Sequence, residues 1–154
     1  MDSRDILERV DEETHGENDF NNEGGEDKTA PTIESTTVAL AKEVFTEIGA
    51  GLSETTYRNA LALALRGAGL RVTSEVIVPI TFRNENVGFI RADLLVTVFG
   101  ELTTDLLVVE LKAGVSKILP AHEAQARAYA VRLGARALVV NFGLEGVYFK
   151  EVAV

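Results

Sequence analysis

Three ionisable residues stand where a buried strand should carry none. Asp93 lies inside the apolar run Phe89-Ile90-Arg91-Ala92-Asp93-Leu94-Leu95-Val96, and Glu110 and Lys112 lie inside Leu106-Leu107-Val108-Val109-Glu110-Leu111-Lys112-Ala113. Charged side chains are almost never fully buried unless they are paired or bind a metal. Glu110 and Lys112 are two residues apart, so in a strand both point to one face. A short hairpin would set Asp93 beside them, close enough to share an ion. Two carboxylates and the Leu111 carbonyl between them make a hard oxygen donor set that suits Mg²⁺, with Mn²⁺ as a substitute. A lysine beside such an ion can orient a water for attack on phosphorus, or help deprotonate it. Glu54 and Gln125, each expected on a flanking helix, could complete the site, Gln125 by holding the water or Lys112.

Plainer readings stand beside these. Asp93 could pair with Arg91, and Glu110 with Lys112, in purely structural ion pairs. Glu54 could be a first-turn carboxylate favoured by the helix dipole, and Gln125 a surface residue. Tyr57 and Tyr129 read as packing residues with a hydroxyl at the rim, and His122 as a surface or capping residue. There is no cysteine and only two histidines, His15 and His122. Thiolate and multi-histidine zinc sites are thereby excluded. No phosphate-binding glycine loop, dinucleotide fingerprint or nucleophile elbow is present.

The elements that would position these residues follow from hydrophobic periodicity. A first helix is expected from about Ser35 to Ile48, with Val38, Ala41, Phe45 and Ile48 inward and Leu40 and Val44 widening the face. Ser53 reads as the N-cap of a second helix reaching about Arg66, with Tyr57, Leu61, Ala64 and Leu65 inside. Strands are expected over Arg71–Phe82, Val87–Phe99 and Asp105–Ala113, joined by turns at Asn84-Glu85-Asn86 and at residues 100–104. Pro79 assigns the first of these strands to an edge, a bulge or a bend. Pro120 opens a third helix to about Leu133, its apolar surface supplied by Ala124, Ala128, Val131 and Leu133. Two final strands, residues 137–142 and 147–152, meet across the turn at Gly143-Leu144-Glu145-Gly146. The order α-α-β-β-β-α-β-β predicts an α/β (α+β) fold with a mixed central sheet flanked by helices.

Charge divides the chain. Residues 1–30 hold 11 acidic and 3 basic side chains, a net of −8 out of −9 for all 154 residues; the remainder holds 13 and 12. Residues 1–34 are therefore expected to be an acidic, disordered tail, in which Ile6, Leu7 and Val10 could form an amphipathic turn. Such a tail could dock on a basic partner or mimic nucleic acid. Residues 35–154 form the folded domain, nearly neutral and without the basic footprint of tight nonspecific DNA binding. Arg58, Arg66, Arg71, Arg127, Arg132 and Arg136 are the candidates for phosphate contacts. No apolar run long enough for a transmembrane helix and no signal-peptide pattern occur, which predicts an intracellular protein, cytoplasmic or nuclear.

The residues also carry a resemblance. Asp93 followed by Glu110-Leu111-Lys112 resembles the motif of the PD-(D/E)XK nuclease superfamily, with Ala92 where the motif's name has proline. Within that superfamily the chain looks like the small GxxExxY proteins: Gly51-Leu52-Ser53-Glu54-Thr55-Thr56-Tyr57 matches their motif. The likeness continues through His122-Glu123-Ala124-Gln125 with Tyr129 and through Asn141-Phe142-Gly143. It implies a restriction-endonuclease-like αβββαβ core, Asp93 and Glu110 as metal ligands, Lys112 as catalytic lysine, and Glu54 and Gln125 as auxiliary site residues. It further implies a Mg²⁺-dependent nuclease acting on nucleic acid, DNA before RNA, in a fold that often works as a homodimer. The alternative is a nuclease fold without turnover, kept for a binding or structural role.

Overall fold

A computed structural model of the protein describes residues 30–100 and 102–154. Residues 1–29 of the expected acidic tail, its amphipathic turn at Ile6, Leu7 and Val10, and Glu101 lie outside the described residues. The elements run α1 (Ile33–Ile48), α2 (Glu54–Gly67), β1 (Arg71–Phe82), β2 (Glu85–Phe99), β3 (Thr104–Ala113), α3 (Pro120–Leu133), β4 (Arg136–Phe142) and β5 (Val147–Val152). They form a five-stranded mixed sheet in the order β1-β2-β3-β4-β5, parallel only between β3 and β4, where α3 makes the crossover. This is a mixed α+β architecture consistent with a restriction-endonuclease-like fold. No helix among the described residues is long and apolar enough to cross a membrane.

Each element follows from its local sequence. Thr32 and Ser35 cap α1 reciprocally, Thr32 Oγ1 accepting from the Ser35 N–H at 3.0 Å and Ser35 Oγ from the Thr32 N–H at 2.9 Å. This satisfies two N–H groups that the helix start leaves unpaired. It also starts α1 two residues before Ser35, burying Ile33 and Glu34. Ser53 caps α2 by accepting from the Thr56 N–H. Before α3, His122 Nδ1 accepts from the Leu119 N–H at 3.1 Å, a capping role. Pro79 sits on β1, an edge strand, with a register shift just beyond it at Ile80/Thr81. The turn before β2 is tighter than expected: Arg83 and Asn84 take positive φ, and Glu85 already belongs to the strand.

Two cores flank the sheet. The α1/α2 side contains Val38, Ala41, Val44, Tyr57, Leu61 and Leu65 against Leu94, Val96, Leu107, Val109, Leu111, Leu138 and Val140. The α3 side contains Ala126, Tyr129 and Ala130 against Val108, Ala137 and Val139. Periodicity misjudged two helix faces. Ile48, expected inside, is part-exposed at the end of α1. The inner face of α3 is Ala126, Tyr129 and Ala130, and Ala124 and Val131 face solvent. Its apolar residues are mostly alanines spread around the helix, so only contact with the sheet picks out a face.

One irregularity decides where the site lies. Residues two apart in a strand normally share a face. Yet Ala92 packs on the α3 side and Leu94 on the α1/α2 side, and on β1 Val76 and Val72 divide the same way. The exchange falls at Asp93 and, across the ladder, at Glu75, which has a φ of 53°. A left-handed backbone costs a non-glycine residue roughly 1–2 kcal/mol, offset here by ladder pairs on both sides, Ser74 with Leu94 and Val76 with Ala92.

Candidate active site

Beyond this kink β2 and β3 part. Their ladder ends at the Leu94–Val109 pair, and the next inward-pointing N–H, that of Leu111, donates to Asp93 Oδ2 at 2.8 Å. A side-chain oxygen thus takes the place of a strand carbonyl. N–H and C=O of an extended residue point to the same side, so the Leu111 carbonyl is directed to the same opening. The other Asp93 oxygen, Oδ1, lies 3.9 Å from Arg58 Nη1 of α2. Arg91, which the spacing offered as the neutralising partner of Asp93, instead meets Glu75 Oε1 at 3.5 Å. The kink is the reason, since it ends the shared face that the pairing needed.

Glu110 is 2% exposed. Its Oε1 lies 3.3 Å from Lys112 Nζ, and its Oε2 is buried without a hydrogen-bond partner. Burial, and then the Asp93 carboxylate, push the Glu110 pKa up to about 8, against the opposing pull of Lys112. Without a cation in the opening, Glu110 therefore keeps its proton near neutral pH. Glu54, in the first turn of α2, also has a raised pKa, through burial and the Asp93 charge.

Lys112 is held from two sides, by Glu110 and by Gln125, whose Oε1 accepts from Nζ at 3.1 Å. Gln125 Nε2 donates to the Tyr129 hydroxyl at 2.9 Å, one helical turn along α3. Burial holds the Tyr129 hydroxyl above its ordinary pKa, so it stays protonated and anchors the amide. The Tyr57 hydroxyl performs a similar task on α2, donating to the Gly49 carbonyl at 2.6 Å and accepting from the Leu52 N–H. Its ring stacks on Phe142, centroids 4.3 Å apart. Gly51, at φ 85°, turns the chain between these two contacts, and Glu54 follows at the start of α2.

All five residues singled out by sequence thus belong to one neighbourhood: Asp93, Glu110 and Lys112 from the sheet, Glu54 and Gln125 from helices on opposite faces. Sequence reasoning placed Arg58 only among six interchangeable arginines. The structure singles it out, half-enclosed between Glu75 and Asp93 with Nε buried and unpartnered. Its spacing, one helical turn after Glu54, was the available signal. Arg136 lies elsewhere, clamping Glu34 and Asp105 at 2.9 and 2.6 Å.

The donor set suits a hard divalent cation. Glu110 Oε2 lacks a partner and Asp93 Oδ1 is loosely held, so two carboxylate oxygens are left for a ligand. Among the described residues no three Asp, Glu, His or Cys side chains form a metal cage. The protein would supply two carboxylates and leave other positions to water and phosphate, as Mg²⁺ prefers.

The model of the PD-(D/E)XK nuclease superfamily matches residues 31–152. No curated protein matches. Among solved structures, the crystal structure of SSO0001 is similar at 20% identity and a TM-score of 0.49. That match covers 64% of this chain and 49% of SSO0001, so it takes in about half of that protein.

Proposed function

The chain belongs to the PD-(D/E)XK nuclease superfamily, and we propose that it hydrolyses phosphodiester bonds in nucleic acid, using a divalent metal ion held by Asp93 and Glu110. The observation that carries this reading is the opening between β2 and β3, where the Glu110 carboxyl, its Oε2 buried and unpartnered, lies near enough to the Asp93 carboxylate to feel its charge, beside a tethered lysine. An ion bound there would polarise the phosphate and lower the pKa of a water. Asp93 is held by the Leu111 N–H, so its free oxygen has a defined position. Glu110 must give up its proton to bind a cation, which couples binding to pH. Lys112, held by Gln125, which Tyr129 anchors, keeps its ammonium 3.3 Å from Glu110 Oε1, where it would orient the water and stabilise charge on phosphorus. Glu54 would add negative charge at the rim and Arg58 would meet the phosphate.

We also place the chain with the GxxExxY proteins. In support, the Tyr57 hydroxyl ties Gly49 and Leu52 on either side of the turn at Gly51, just before Glu54 opens α2. Mg²⁺ is the expected ion, with Mn²⁺ able to replace it, and DNA the expected substrate ahead of RNA.

The test is cleavage of labelled DNA and RNA by the full chain with Mg²⁺ or Mn²⁺, and with EDTA. Metal-dependent cleavage is expected; none with any substrate would leave the fold in a binding role. The acidic segment gives a second expected result. With a net of −8 in residues 1–30, its deletion should raise nucleic-acid affinity more at low salt than at high salt, because screening weakens the competing charge. Fluorescence anisotropy at two ionic strengths measures this, and equal affinities with and without the segment would make it a passive solubiliser.

A further inference from the structure

The β1–β2 hairpin carries an apolar surface that the nuclease site does not explain. Ile77 pairs with Arg91 and Pro79 with Phe89, so these four side chains share one face. Ile77 is 61% and Phe89 64% exposed, and Pro79 and Arg91 are exposed as well. The opposite face is covered: Val78 is buried and Ile90 packs with the α3-side core. The outer face continues the side of the sheet that α1 and α2 cover elsewhere, and among the described residues β1 contributes only Val72 to that core. Exposed apolar surface of this kind marks an interaction site.

The patch runs straight into the proposed active site. Phe89 and Arg91 share its face, and the kink at Asp93, where the faces exchange, lies two residues beyond Arg91, about 6.7 Å along the strand. Arg91 meets Glu75, Glu75 meets Arg58, and Arg58 reaches Asp93. An aromatic ring flanked by aliphatic surface, then two guanidinium groups bridged by the Glu75 carboxylate, then the site carboxylates form one track. A duplex shows phosphates and stacked base pairs, and gains little from a flat apolar ring. Its affinity depends on many basic contacts, which residues 31–154, with 13 acidic and 12 basic side chains, do not provide. A single strand has free base faces, which stack on aromatic side chains while arginines take the backbone.

We propose that the outer face of the β1–β2 hairpin, centred on Phe89 and Arg91, binds unpaired bases of single-stranded nucleic acid and leads that strand to the carboxylates. This rests on the nuclease reading for the direction of the track and on the hairpin surface for the stacking.

The test is anisotropy of the full chain with a fluorescent oligothymidine, an abasic strand of equal length and a blunt duplex, all in EDTA so that nothing is cut. Oligothymidine should bind most tightly. Phe89→Ala should weaken it about tenfold, the order expected for one stacked base, leave the abasic strand unchanged, and be reversed by Phe89→Trp. Tighter binding to duplex, an equal loss on the abasic strand, no effect of Phe89→Ala, or no binding to any probe would overturn the proposal. So would sedimentation showing a dimer that Phe89→Ala dissociates, since the face would then be a subunit contact. Because the assay needs no turnover, stacking without cleavage would sink only the nuclease reading. Metal-dependent cleavage indifferent to Phe89 would sink only this one.

Discussion

Lys112→Ala should lower metal-dependent cleavage by roughly 10²–10³-fold, the usual loss when one positioned electrostatic donor leaves an active site, while Mn²⁺ still binds. The expectation comes from how Lys112 is held. Its ammonium has a carboxyl oxygen at 3.3 Å and an amide oxygen at 3.1 Å, and Gln125 is itself anchored by Tyr129. Such a side chain has little freedom left to lose on reaching a transition state. Neither carboxylate depends on it for position: Asp93 is fixed by the Leu111 N–H and Glu110 by burial in the sheet. Single-turnover cleavage and calorimetric Mn²⁺ titration, run on the same preparation, separate the two effects. Equal cleavage by wild type and variant would remove Lys112 from the mechanism.

The second large effect concerns pH and Glu110. Its carboxyl pKa is near 8 in the metal-free fold, against an ordinary 4.5, mainly because burial penalises the charge. A raised folded pKa means that the unfolded chain binds fewer protons between these values, so stability falls as pH rises from about 4.5 to about 8 and levels off above. In EDTA, the wild-type melting temperature should drop from pH 5 to pH 8, and Glu110→Gln, which carries no titrating group, should flatten that slope. A divalent ion must displace the same proton, so binding at pH 7 should release up to one proton and tighten as pH approaches 8. Calorimetry in buffers of different ionisation enthalpy counts that proton. A slope unchanged by Glu110→Gln, or binding without proton release at pH 7, would contradict the assignment of Glu110. The same variant should lose metal binding.

Much of the architecture was legible in the chain because its signals are local. Ser53 and Pro120 mark helix starts, the β-branched runs mark strands, and Pro79 is tolerable only where β1 needs no partner on one side. Asp93, Glu110 and Lys112 stood out because charge inside apolar strands is costly wherever the strands end up. Less local features were misjudged. α3 has a weak apolar stripe, so its inner face had to come from the sheet it packs on. Arg91 looked like the partner of Asp93 because regular alternation was assumed through a strand that does not keep it.

The sequence by itself therefore determined the order and type of the elements and which residues are chemically out of place. Spacing and burial propensity act within a few residues and need no knowledge of neighbours. Only the tertiary structure decided how those residues meet. The left-handed backbone at Glu75 exchanges the faces of β1 and β2 at Asp93, and the ladder between β2 and β3 ends there. In that opening the Leu111 N–H takes an Asp93 oxygen and Arg58 replaces Arg91 as its neighbour. Glu110 is left with a buried oxygen that has no partner. These outcomes depend on which strand lies beside which and on where pairing stops, quantities set by the packing of the whole sheet.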